Sequence, residues 1–161
     1  IDEEAQEKEF SAAMVNERVR FATKLSPRER FRRLVLDYRQ ALKSQGGVDN
    51  IKPEALEAMK SLFASDVLNL MQVITPMVLQ GKNLTTLLNA GSLGVEVRKA
   101  CQAMMIPYRQ AMMEVKKQGF CSKMRYQRIS NSYTDFINAL QNAVFGSKKM
   151  EIDDQLEEGE E

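Results

Sequence analysis

The sequence predicts an all-α fold: a single bundle of five or six helices with acidic, mobile termini. Three observations carry this prediction. β-Branched residues are scattered and nowhere alternate with polar ones over the length of a strand. Apolar residues instead recur at spacings of three and four in one segment after another. Proline, serine, asparagine and glycine then fall where such segments should start and stop. At 161 residues, 43% hydrophobic and 28% charged, the chain has the size and composition of one domain. We divide it into an acidic lead (1–9), a helical domain (10–146) and a disordered acidic tail (147–161).

The first helix is expected over about 4–24, where Phe10, Met14, Val15, Val19 and Phe21 fall near one stripe and the acidic first turn suits the positive end of the helix dipole. Ser26 and Glu29 form a capping box around Pro27, so a second helix should begin there and bury Phe31, Leu34, Val35, Tyr38 and Leu42 before ending near Ser44. Residues 45–50 read as a loop. Pro53, with Glu54 and Glu57 behind it, opens a short third helix. Ser65 or Asp66 should cap a fourth over 67–80, which is apolar round most of its circumference and is therefore expected to be buried, with Pro76 kinking or dividing it. A brief turn over 84–89 leads to a helix over 93–117 with a second kink at Pro107 and a stop at Gly119. The last helix, 122–145, carries the clearest stripe of the chain in Ile129, Tyr133, Phe136, Ile137, Leu140 and Val144, closed by Gly146.

What the chain lacks narrows its chemistry. There is no histidine, which removes Ser–His and Cys–His nucleophile pairs and His-ligated zinc. The interior carboxylates are dispersed, and no glycine loop for phosphate or nucleophile elbow occurs. We expect a non-catalytic protein with no cofactor and no metal. Cys101 and Cys121 are too few for a disulfide framework and are not spaced as a metal or redox pair, which favours an intracellular setting, cytoplasmic or nuclear. An opening Ile1 with no signal-like segment reads as a piece of a longer protein. No run of apolar residues reads as a membrane span.

The formal net charge of +1 hides an uneven layout. Residues 1–9 hold five acids against Lys8, and residues 151–161 hold seven acids and no base. Between them, residues 18–43 carry nine cations against two acids and residues 98–128 carry eight against Glu114 alone, a net of +7 in each. Arg28, Arg30, Arg32 and Arg33 in the first stretch, and Lys116, Lys117, Lys123, Arg125 and Arg128 in the second, are the candidate phosphate-binding residues. The ten methionines are the other oddity. Met104, Met105, Met112 and Met113 lie close together and are the candidate lining of an adaptable groove for a partner's amphipathic helix. Residues 127–140 are similar in aromatic spacing to the homology segment of retroviral capsid proteins. That family's Gly and Glu are Arg128 and Asn131 here, and an amphipathic helix accounts for the match, so no family is assigned.

The expected function is thus a helical protein–protein interaction module that binds its partner through an apolar, Met-rich groove. The alternative is nucleic-acid backbone binding through the basic helices of 18–43 and 98–128.

Overall fold

The computed structural model describes residues 25–146, and these are all helix, turn and loop with no strand. The acidic lead, the predicted helix over 4–24 and the acidic tail lie outside the described residues. Five α-helices and one 3-10 turn make up the rest.

Helix α1 spans Pro27–Ser44 and starts as its sequence dictates. The Ser26 hydroxyl accepts the Glu29 N–H at 3.1 Å, and Pro27 occupies the first turn. The Glu29 carboxylate turns to its own helix surface, pairing with Arg32 at 3.2 Å and Arg33 at 3.1 Å. Phe31, Val35, Arg39 and Leu42 form the buried face. Arg39 is the surprise among them: its guanidinium crosses the core to donate to the Val144 carbonyl.

Helix α2 corrects two expectations. It runs unbroken over Pro53–Leu79, so the short third helix and the fourth are one. The physical reason is phase: Phe63, Val67, Leu70, Ile74 and Val78 continue a single stripe across Ser65 and Asp66. A break there would strand backbone N–H and C=O groups beside the core for no gain in packing. Asp66 caps nothing and instead accepts the Tyr38 hydroxyl at 2.6 Å, a contact that, after burial, also raises the Tyr38 pKa. Nor is the helix buried all round. Its neighbours α1, α4 and α5 take one side, leaving Leu62 60% and Val73 46% exposed on the other. It is also the one described helix long and apolar enough to cross a membrane; in this fold its inner face is core.

Neither proline divides its helix. Pro76 falls in the last turn of α2, and Pro107 lies within α4, Val95–Gln118. The carbonyls that each proline leaves without a donor belong to Gln72 and Ala103, both exposed, so water can serve them. Between these helices, α3 (Leu84–Leu88) is capped by the Asn83 side chain on the Thr86 N–H. A 3-10 turn, Ala90–Leu93, follows from Asn89 in the left-handed region at φ 53°.

Helix α5 spans Lys123–Phe145 and pairs with α4 along its length as an antiparallel hairpin. At one end of the bundle Phe63 stacks edge-on between Tyr38 and Phe145, with centroids 5.3 and 5.5 Å away. At the other, the buried Thr75 hydroxyl meets Tyr133 Oη at 2.7 Å and Tyr108 Oη at 3.0 Å while donating to the Met71 carbonyl at 2.7 Å. Three helices are thereby set in register through one oxygen.

Replacing Thr75 with Val keeps its volume but leaves two buried phenol hydroxyls short of a partner. The expected loss is about 1–3 kcal/mol in urea unfolding with an unchanged slope. An unshifted midpoint would mean that the hydroxyls satisfy each other.

Candidate functional site

The register just described fixes which surface residues meet. Thr75, Tyr108 and Tyr133 share one level. From it α2 continues four residues to Leu79, about 6 Å, whereas α4 continues ten to Gln118, about 15 Å. The α4–α5 elbow therefore projects past the end of α2. Gly119 makes the turn possible: it adopts φ 86°, which an L side chain rarely tolerates, and its N–H closes on the Val115 carbonyl at 2.7 Å.

Glu114 then ties the elbow together. Its carboxylate accepts from the Gln118 amide at 2.9 Å, the Ser122 N–H at 3.0 Å and Arg125 Nε at 3.1 Å. Arg125 reaches on to Gln110 at 3.1 Å, and Ser122 caps α5 on the Arg125 N–H. Burial pulls the Glu114 pKa upward, but the Ser122 hydrogen bonds and the Arg125 guanidinium together outweigh it and hold the carboxyl below its ordinary value.

Against this clamp lies a concavity of about 680 Å³ lined by Gln110, Met113, Glu114, Lys117, Gln118, Ser122, Met124 and Arg125. Met113 is 72% exposed, Met124 64% and Phe120, at the tip, 63%. Tyr126, Lys116, Lys117, Lys123 and Arg128 are exposed on the same hairpin. Apolar anchors and cations are thus interleaved on a rigid turn.

Of the four methionines predicted to line a groove, only part is surface. Met104 and Met105 are buried and Met112 is half-buried, so the groove read from all four does not exist. Helical phase explains it. Met104 shares the inner stripe with Cys101, Tyr108 and Ala111, while Met113, nine residues on, points half a turn away. Phe120, Met124 and Tyr126 were not singled out as groove residues by sequence. Met124 does lie half a turn off the Tyr133 stripe, a legible signal, but Tyr126 is on that stripe and is exposed because the hairpin outruns the core.

The first basic cluster is less available than its composition implies. Arg32 and Arg33 are engaged by Glu29, while Arg28 is exposed and Arg30 is half-buried, its pKa lowered by desolvation. Since eight residues join α1 to α2 and Tyr38 meets Asp66, the two helices are antiparallel. Arg28 and its neighbours therefore occupy the same half of the bundle as the elbow.

Nucleophiles are poorly placed. Burial pushes the Cys101 thiol up to about 12 against a hydrogen bond from Thr85. Burial and then the Glu114 carboxylate raise Cys121, with Arg125 opposing. Among the described residues no three of Cys, Asp and Glu gather closely enough to hold a metal ion. Compared with protein-family models, curated proteins and solved structures, the chain matches none.

A group whose folded pKa is lowered adds stability above its unfolded pKa and loses it as pH falls through the folded value. Urea midpoints should accordingly fall with acid through the carboxylate range, and Glu114→Gln should flatten that fall; identical profiles would show the clamp to be inert. Thiol labelling at pH 8 should be slow at Cys121 and absent at Cys101 until the chain unfolds.

Proposed function

We propose that this domain is a non-catalytic interaction module and that its binding surface is the α4–α5 elbow, which takes an acidic amphipathic segment of a partner protein. The observation that carries this reading is the concavity itself, where Met113 and Met124 stand exposed beside Lys117 and Arg125. Exposed methionines adapt to irregular apolar surfaces, and an anchor set at the centre of a patch supplies most of an interface's energy. The surrounding lysines and Arg128 select for an acidic face and speed encounter with it. Because the Glu114 clamp holds the turn in place before binding, little ordering entropy opposes association.

A second reading, binding of a nucleic-acid backbone, is favoured by one specific arrangement. Lys116, Lys117, Lys123 and Arg128 are exposed on the same hairpin as the exposed rings of Phe120 and Tyr126, and Arg28 lies in the same half of the bundle. Cations that track phosphates and aromatic rings that stack bases are the parts such a surface needs.

Fluorescence anisotropy separates the two. A synthetic helical peptide with leucines on one face and glutamates on the other should bind, and Met113→Ser combined with Met124→Ser should weaken it roughly tenfold. If single-stranded DNA binds instead, with affinity that falls steeply in salt and vanishes on replacing the four cations with Ala, the second reading replaces the first.

A further inference from the structure

The outer face of α2 is unlike any other helix surface among the described residues. Between Lys60 and Lys82 the sequence holds one charge, Asp66, and that one is engaged by Tyr38. Leu62 and Val73 are exposed on one side of this stretch, among the uncharged Ser65, Asn69 and Gln72, in a chain that is 28% charged. Soluble helix surfaces ordinarily carry charge on the side away from the core, so a face this neutral marks a contact surface. At 100° per residue, Val73, Leu62 and Asn69 follow one another round the helix from Asp66, the edge on which α1 lies. The neutral strip thus begins beside α1.

We infer that this strip is the docking site of the chain's own residues 4–24. Three features choose that occupant. The segment joins the bundle at Leu25, immediately before the start of α1, and the antiparallel pairing sets that point beside the C-terminal half of α2. Its sequence places Phe10, Met14 and Phe21 on one helical stripe, an apolar face to set against Leu62 and Val73. As a helix, its 21 residues would extend about 31 Å, enough to cover the roughly 21 Å from Leu62 to Pro76. Tethering adds to this, because a segment joined directly to α1 meets the strip at high effective concentration. A strip without charge also repels neither the acids of 1–9 nor the arginines at 18 and 20. This inference uses a different face from the elbow and stands or falls separately from it.

The test uses the full chain, with Cys121→Ser and Gln72→Cys carrying a nitroxide and methionine methyl groups carbon-13 labelled. Gln72 is exposed at the edge of the strip, so the label leaves Leu62 and Val73 free. The Met14 methyl signal should be lost along with that of Met77, five residues on in α2, and Met14's alone should return when Val73→Asp is added. A Met14 signal that survives the nitroxide overturns the inference. So does loss that appears equally when spin-labelled and isotope-labelled chains are separate molecules, which would make a second copy the occupant. If Val73→Asp unfolds the chain, Leu62→Glu, even more exposed, supplies the same reading.

Discussion

The Thr75 hydroxyl is the point on which the arrangement turns. Buried between Tyr108 of α4 and Tyr133 of α5, it leaves those helices one register in which all three oxygens find partners. A slip of one residue in either helix would rotate its tyrosine by about 100° and strand a hydroxyl in an apolar interior, a loss of about 1–3 kcal/mol for each group. The length by which the α4–α5 hairpin outruns α2, and hence the elbow with its exposed Met113, Phe120 and Met124, follows from that register. At the opposite end the ring cluster of Tyr38, Phe63 and Phe145 and the buried Arg39 lock α1 against α2 and α5.

The elbow illustrates how one charge can organise a surface. Glu114 is the sole acid of the second basic stretch, and it is spent on structure: it joins the last turn of α4 to the first of α5 through Gln118, Ser122 and Arg125. This neutralises Arg125 and leaves the lysines and Arg128 as the outward-facing charge. The same division of labour occurs in α1, where Glu29 occupies Arg32 and Arg33 and Arg39 is taken into the core. A run of cations in sequence is therefore not a run of available cations, and the α1 cluster loses more of its reach than the elbow does.

Much of the fold was legible before the structure. Ser26–Pro27, Pro53, Gly119 and Ser122 marked helix ends because each satisfies or omits a specific terminal hydrogen bond, a property local to the residue. The core stripe of α5 was legible for a similar reason, since 3.6-residue periodicity needs no partner to be seen. The misreadings were of another kind. Ser65 and Asp66 have the chemistry of a cap, but a cap forms only if the chain bends there, and the continuous apolar phase of α2 forbids it.

The sequence by itself determined that this chain is helical, where most of its helices begin and end, and that its interior charge is basic. Tertiary structure alone decided how far along each apolar stripe the core extends. Tyr126 and Tyr133 belong to the same helix, the same stripe and the same residue type, yet one is open and the other sealed, because burial depends on where neighbouring helices stop. It also decided that α2 has two faces, since hydropathy counts residues and not the sides on which partners pack. Local chemistry specifies helices; only the finite length and register of their packing specify a surface.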